Sequence, residues 1–252
     1  MTKPINIYLK TLDRDDLTIK QASRDVANYF KDVQTHIILE DFCELLKRSA
    51  KWQRGTVESR YKEVQNELEN AYQNANINIF KLTRGHLFTA FKMADKKDKN
   101  FLNSLRGKIF EAILVGFYGG TYSLEHPPPP QQRGWGVSIG LPTKNENDVI
   151  AYYHHSGNPD LSKKTMDYAY LKNSVRVFYE CKIQPDRFGD VEEQYFSLFH
   201  EKFKSFNLEH ELCFFAADRS DEVEMEISDS DFDFPLHAFG YDNLASYISN
   251  HL

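Results

Sequence analysis

The chain is 252 residues long, has a formal net charge of −6 and is 14% aromatic. This length is enough to bury a substantial core, and the aromatic content excludes an intrinsically disordered chain. No run of about 18 apolar residues predicts a membrane span, and the N-terminal residues lack the apolar core of a signal peptide, so we expect a cytoplasmic protein without membrane contact. The three cysteines, at positions 43, 181 and 213, form no CxxC pair, which argues against a zinc site or a disulfide framework.

The charge is distributed unevenly along the chain. Residues 218–234, the acidic segment, hold eight acids and one Arg, so the remaining chain is close to neutral. Two basic runs, residues 47–62 and 92–108, contain six Lys or Arg each. Such runs are usually solvated helix faces, and the alternative is a surface that follows a phosphate backbone. For the acidic segment we expect a solvated loop, and the alternative is an autoinhibitory mimic of nucleic acid.

The apolar spacing changes along the chain from a helical to a strand-like period. Residues 13–95 predict helices, and a long apolar helix follows at 101–118, with Asn100 as its N-cap and Gly119 as its stop. The proline-rich residues 125–136 predict an extended loop. Beyond it the pattern predicts strands at 137–141, 149–155, 167–171, 175–181 and 211–217, a helix at 190–206 and a short C-terminal helix.

The order of these elements, helices first and then strands around one further helix, is typical of an α+β fold. We expect a helical N-terminal lobe over residues 1–99. Residues 100–252 then form a second domain, which includes the acidic segment.

The strand sequence "VFYECK" carries an acid and a base, Glu180 and Lys182, on one face, because strand side chains alternate between faces. If Asn173 and Ser174 form a two-residue hairpin loop, Asp167 lies opposite Glu180. Directly opposite residues have Cβ atoms about 4.5–5.5 Å apart, and like charges there are destabilising by a few tenths to about 1 kcal/mol. A divalent cation would offset the repulsion, and carboxylate oxygens are the ligands that Mg²⁺ or Mn²⁺ prefers. A loop one residue longer or shorter would move Asp167 off this pairing.

A third carboxylate, Glu111, lies inside the apolar helix sequence "IFEAILVGFYGG". A helix that is apolar on all sides is normally buried, and an ionised carboxylate there is costly unless it is paired or bound to a metal. Gly107, one turn earlier, leaves room for a ligand to approach. The alternative is that Glu111 pairs with an arginine such as Arg106 or Arg176.

Together these residues resemble the PD-(D/E)XK nuclease superfamily, which has the restriction-endonuclease-like fold. The resemblance rests on the helix sequence "RGKIFE", on Asp167 and on the strand sequence Glu180-Cys181-Lys182, followed by a helix and a further strand. It covers residues 100–217. It implies a core made of a helix, a mixed sheet, a second helix and a strand.

The resemblance also implies a role for each site residue. Asp167 and Glu180 would bind the metal ion, and Cys181 would contribute its backbone carbonyl oxygen. Glu111 would complete or support the metal site. Lys182 would be the catalytic lysine, which orients or deprotonates the attacking water and stabilises the developing negative charge.

The implied activity is that of an endonuclease, dependent on Mg²⁺ or Mn²⁺, that hydrolyses phosphodiester bonds of nucleic acid. DNA is preferred to RNA as the substrate on the same grounds. Compact nucleases of this kind commonly serve in restriction or anti-phage defence. The expected partner is nucleic acid, and a homodimer or a regulatory protein partner is left open.

Several residues are alternatives or additions to this site. The literal Pro-Asp dipeptide ends at Asp160, in a turn-like sequence, and Asp160 is the alternative to the strand aspartate. Either His154 or His155 could contact phosphate, but not both, because adjacent strand residues face opposite ways. Gln194 and Tyr195 lie in the helix where related nucleases carry a polar or basic helper, and an ordinary helix surface explains them equally well.

Two other functions compete with this interpretation. A nuclease-like fold can lose its activity and serve as a binding or scaffold module, although all four expected charged groups are present here. A metal-independent, RNA-cleaving toxin would need a compact group of His and Arg residues, and we find none in the sequence.

Overall fold

A computed structural model describes residues 8–11, 16–33, 36–75, 77–127, 131–140, 165–228, 232 and 234–252. Within them the chain forms six β-strands: β1 (Tyr8–Thr11), β2 (Gln131–Gly140), β3 (Met166–Lys172), β4 (Val175–Lys182), β5 (Glu211–Ala216) and β6 (Leu236–Phe239). It forms ten α-helices: α1 (Leu17–Asp32), α2 (His36–Ser49), α3 (Val57–Ala71), α4 (Phe80–Thr83), α5 (His86–Ala94), α6 (Lys99–Phe117), α7 (Gly120–Glu125), α8 (Asp190–Ser205), α9 (Ser220–Ser228) and α10 (Leu244–His251). A short 3₁₀ helix, Pro185–Arg187, follows β4.

The long helix α6 is buried from its middle to its C-terminal end and packs closely on α1. An added Cβ at Gly116 would lie 2.7 Å from both the carbonyl oxygen of Ala27 and the Cβ of Phe30 in α1. The rings of Phe30 and Phe117 stack at 6.2 Å. Close approach of the two helices therefore depends on the missing side chain at position 116.

Helix α6 begins two residues earlier than predicted. The carboxylate of Asp98 accepts a hydrogen bond from the backbone N–H of Phe101 at 2.9 Å, so Asp98 is the N-cap. The prediction of Asn100 as the N-cap is wrong, because an acidic cap two residues earlier satisfies the free N–H groups of the first turn. The predicted stop at Gly119 is confirmed, since that residue has a left-handed φ of 102°.

The six strands form one mixed sheet in the order β1-β2-β3-β4-β5-β6. The pairs from β1 to β4 are antiparallel, whereas β5 is parallel to β4 and β6 is parallel to β5. Alternate residues of β4 enter two cores: Val177 and Tyr179 face α6 and the N-terminal helices, and Phe178 faces α8. The structure therefore has an α+β fold, as predicted, with helices on both faces of the sheet.

The predicted hairpin between β3 and β4 is confirmed, including its two-residue loop. Lys172 pairs with Val175, and the register continues through to Tyr168 with Tyr179. Asn173 has a φ of 55°, the left-handed conformation that Asn tolerates in tight hairpin turns. This register brings the beginning of β3 beside the end of β4.

Two other expectations about local structure are wrong. Residues 131–136, predicted as loop, are the first part of β2, because pairing with β3 gives these polar residues a ladder partner that a single sequence does not reveal. Residues 220–228 of the acidic segment form α9 rather than a solvated loop, since Val223 and Ile227 are buried on one helix face. The predicted strand at 149–155 lies outside the described residues.

The N-terminal residues contribute to the sheet as well as to the helical layer. Strand β1 pairs with β2 from Tyr8 with Gly140 to Thr11 with Val137. One hydrophobic core extends from α1 and α2 through α6 to the sheet. Among the described helices, none combines the length and the apolar character needed to cross a bilayer.

Candidate active site

The predicted site residues lie where the hairpin strands meet α6 and α8. Asp167 is the second residue of β3, Glu180 and Lys182 lie at the end of β4, and Glu111 lies in α6. All four groups act electrostatically on one buried residue, Cys181: the three carboxylates raise the pKa of its thiol, and the Lys182 ammonium opposes them. Burial is the largest cause of that raised pKa. The four predicted charged groups thus all lie within electrostatic range of Cys181, with Glu111 on the α6 side of the sheet and Lys182 paired with Glu192 of α8.

Asp167 is held at the end of the β3–β4 ladder. Its Oδ2 accepts a hydrogen bond from the backbone N–H of Cys181 at 2.7 Å. Burial and the neighbouring Glu111 carboxylate raise the pKa of Asp167 to about 7, and Lys182 and Lys108 act in the opposite direction. The carboxyl group is therefore poised to ionise near neutral pH, and a cation beside it would favour the ionised form.

Lys182 lies between two buried carboxylates. Its Nζ is 2.6 Å from Glu180 Oε1 and 3.0 Å from Oε1 of Glu192, which belongs to the first turn of α8. Burial alone would lower the pKa of Lys182, but Glu180, Asp167 and Glu192 outweigh it and raise that pKa above its usual value. Lys182 is therefore an ammonium ion at neutral pH, a hydrogen-bond donor and a positive charge rather than a base.

Glu111 is 8% exposed and has two donors on one oxygen. Its Oε2 accepts hydrogen bonds from Lys108 Nζ and from the indole Nε1 of Trp135, both at 2.7 Å. The arginines considered from the sequence are engaged elsewhere: Arg106 donates to Asn103, and Arg176 donates to backbone carbonyl oxygens. The buried charge is thus compensated by a lysine one turn away on the same helix.

Open space adjoins α6 at Gly107, one turn before Glu111. An added Cβ at Gly107 would meet no atom within 4 Å. This agrees with the expectation that Gly107 leaves room for a ligand to approach. On the other side, an added Cβ at Gly136 would lie 3.5 Å from the Nζ of Lys108.

Three residues of the site were not predicted: Lys108, Trp135 and Glu192. Trp135 reaches Glu111 because Gly136 has a left-handed φ of 58°, which breaks the strand alternation. As a result Trp135 faces the core around α6, whereas Val137 faces the core around α8. In the sequence, the two glycines of "GWG" (134–136) are the only signal that side chains of β2 change face after Trp135.

The two α8 residues suggested as helpers, Gln194 and Tyr195, are not the one that contacts Lys182. Gln194 is exposed and Tyr195 is buried among aromatic rings of the core. Glu192, two residues earlier, makes the contact with Lys182. In the sequence Glu192 is one of three acids in the first helical turn, a position that also favours ordinary helix capping. Asp160, His154 and His155 lie outside the described residues.

The donor atoms at this site suit a hard divalent cation. Asp167, Glu180 and the carbonyl of Cys181 carry oxygen atoms of the kind that such a cation prefers. Burial and then the Glu111 carboxylate raise the pKa of Asp167, and a cation beside it would oppose both effects. Over the described part of the chain, three or more His, Cys, Asp or Glu side chains are nowhere gathered closely enough to form a ready metal-binding group. Instead Lys108 and Lys182 neutralise the carboxylates.

The fold and the site define an α+β protein with a partly buried carboxylate and lysine cluster at one end of its sheet. No protein-family model and no curated protein matches the sequence. Among solved structures, the crystal structure of protein VC1899 from Vibrio cholerae is similar, with 11% sequence identity and a TM-score of 0.38 over 97% of this chain. The match spans 57% of that protein's chain, and a likeness this distant assigns neither fold family nor function.

Proposed function

We propose that the chain is a metal-dependent nuclease of the restriction-endonuclease-like class that hydrolyses phosphodiester bonds, with DNA as its preferred substrate. The observation that carries the proposal is the arrangement of Glu111, Asp167, Glu180 and Lys182 around Cys181. The sequence predicts these residues as a nuclease site, and they come from three separate elements, α6, β3 and β4.

The order of elements supports the same proposal. Helix α6 is followed by the antiparallel strands β2, β3 and β4, then by α8, and then by β5 parallel to β4. This is the helix, sheet, helix and strand order that the resemblance implies. The site lies where β3 begins and β4 ends, beside both helices.

In this proposal the carboxylates of Asp167 and Glu180 and the carbonyl of Cys181 hold Mg²⁺ or Mn²⁺. The bound ion would polarise the phosphodiester and lower the pKa of a water molecule. Glu111, fixed by Trp135, supports the site from α6. The Cys181 thiol is buried and its pKa is raised, which suits a backbone role and not a thiolate nucleophile.

Lys182 has a more specific role than the sequence alone suggested. Because its pKa is raised by neighbouring carboxylates, it keeps its proton and does not act as the general base. It would orient the attacking water by donating a hydrogen bond, and its charge would stabilise the negative charge that develops on the phosphate. Glu180 and Glu192 fix the position of its ammonium group.

The test is incubation of the purified chain with supercoiled plasmid and with structured RNA, in Mg²⁺, Mn²⁺ or EDTA. The proposal predicts cleavage of plasmid that requires the metal and is lost in Glu180→Gln, a variant that keeps an acceptor for Lys182 while removing the charge. Glu201→Gln, an exposed change on α8, is the matched control. Cleavage that persists in EDTA, or equally in Glu180→Gln, would overturn the mechanism.

A second candidate function is a nuclease-like binding or scaffold module without catalysis. It is favoured by the internal ion pairs, because Lys108 and Lys182 compensate the carboxylates without a metal ion. Calorimetric titration with Mg²⁺ separates the two functions. A scaffold would give no metal binding that depends on Asp167 and no cleavage, whereas the nuclease requires both.

A further inference from the structure

The two basic runs identified in the sequence differ in how their charges are compensated. In residues 47–62, four of the six basic side chains form ion pairs with acids of the same chain. The pairs are Lys47 with Asp218 and Glu44, Arg48 with Glu67, Arg60 with Glu63, and Lys62 with Glu58. This run is therefore largely neutralised within the protein, as expected of a solvated helix face.

In the second run, residues 92–108, Lys108 pairs with Glu111 but the lysines at its N-terminal end keep their charges. Lys92, Lys96, Lys97 and Lys99 are exposed, and within the described residues none of them forms an ion pair. The two acids of this stretch are engaged by backbone donors. Asp95 accepts from the N–H groups of residues 57 and 58 at the start of α3, and Asp98 caps α6.

An arginine from the first run adds to the same surface. Arg54 donates a hydrogen bond to the carbonyl oxygen of Lys96 at 3.4 Å. Lys92 and Lys96 both act on the carboxylate of Glu58, whose pKa is lowered mainly by its hydrogen bond from Lys62. The cationic patch is defined here as Arg54, Lys92, Lys96, Lys97 and Lys99, at the connection between α5 and α6.

A ridge of α6 connects the cationic patch to the candidate site. Positions four apart on a helix are neighbours, so Lys99, Asn103, Gly107 and Glu111 form a row that winds about 120° around the helix at 3.6 residues per turn. Asn103 is exposed and Gly107 adjoins open space. No acidic residue occurs between Asp98 and Glu111. The helix rise places Lys99 about 18 Å from Glu111 along the axis.

We propose that the cationic patch docks duplex DNA whose backbone runs along this row of α6 into the candidate site. The inference rests on the proposed nuclease function and adds the surface on which its substrate is held. A span of about 18 Å corresponds to about five base pairs of duplex at 3.4 Å per pair. The small polar side chains of the row allow the backbone to pass, and the exposed cations supply the contacts with phosphate.

The test compares two triple variants with the same change in charge. The patch variant carries Lys96→Gln, Lys97→Gln and Lys99→Gln. The control carries Arg48→Gln, Arg60→Gln and Lys62→Gln, in the paired run. Binding of a fluorescent 20-base-pair duplex is followed by anisotropy in EDTA over a series of salt concentrations, and circular dichroism checks that both variants fold.

Three lost phosphate contacts reduce the slope of log affinity against log salt by about 2.7. When the salt concentration rises fourfold, the factor by which affinity falls should therefore be about 40 times smaller for the patch variant than for the wild type. The control should retain the wild-type slope. Equal slopes for all three proteins, or an equal reduction in both variants, would overturn the proposal. So would a slope change seen with duplex RNA but not with DNA.

This experiment distinguishes a failure of the docking surface from a failure of the nuclease proposal. Because binding is measured in EDTA, it does not depend on cleavage. A wild type that binds through the cationic patch and cuts no nucleic acid would refute the nuclease and leave the docking surface standing. A wild type that cuts DNA while the patch variant keeps its salt slope would refute the docking surface alone.

Discussion

Replacing Asp167 by Asn tests the electrostatics of the site without assuming any activity. Asn keeps an oxygen that can accept the hydrogen bond from the Cys181 N–H, but it cannot ionise. The pKa of Asp167 is about 7 in the folded chain against an ordinary value of 3.8. Between those values the folded state binds more protons than the unfolded state, so the wild type loses stability as the pH rises through this window.

The size of the effect follows from these two pKa values. Between pH 5 and pH 8 the Asp167 contribution to the free energy of unfolding falls by about 2.5 kcal/mol. In urea unfolding in EDTA, the stability of Asp167→Asn relative to the wild type should therefore rise by about this amount between pH 5 and pH 8. Little further change is expected above pH 8. Asp186→Asn, an exposed change of the same kind, should show no such gain. A difference between Asp167→Asn and wild type that is constant with pH would refute the reasoning.

Four further variants test the charged partners in the site and the packing of α6. Glu111→Gln removes the carboxylate that, after burial, raises the pKa of Asp167, so the pH-dependent loss of stability in urea unfolding should end at a lower pH and be smaller. An unchanged profile would contradict this role of Glu111. Glu192→Gln leaves Lys182 with one charged partner fewer, and we expect a loss of about 1–3 kcal/mol in the same assay together with slower plasmid cleavage; wild-type stability and rate would argue against this contact. Gly116→Ala overpacks the contact between α1 and α6 and should lower the free energy of unfolding by about 1–3 kcal/mol. Gly107→Ala meets open space and should leave stability unchanged or raise it by up to about 1 kcal/mol. Equal shifts of the thermal unfolding midpoint for both variants would contradict this packing.

The hairpin could be predicted from the sequence because its information is local. Alternation fixed which residues of β4 share a face, and the two-residue loop at Asn173 and Ser174 determined the register. Glu111 could be selected because an acid within an apolar helix must have a partner. These are rules about neighbours along the chain, and they select four charged residues that all lie within electrostatic range of Cys181.

The partners of those groups could not be predicted, because they depend on contacts between distant elements. Trp135 reaches Glu111 only through the left-handed Gly136 within β2. Glu192 reaches Lys182 only because α8 packs over the end of β4. In the sequence, a Glu in the first turn of a helix is indistinguishable from ordinary capping. The start of β2 was missed since its polar residues become strand by pairing with β3.

The nuclease proposal is tested by the initial rate of plasmid cleavage in Mg²⁺ for the wild type and for Lys182→Gln. Gln can still donate a hydrogen bond to Glu180, so the variant removes chiefly the positive charge. Lys204→Gln, exposed in the last turn of α8, is the control. The account predicts a rate about 100- to 1,000-fold lower for Lys182→Gln and a wild-type rate for Lys204→Gln. Equal rates for Lys182→Gln and the wild type, or no metal-dependent cleavage by the wild type, would contradict it.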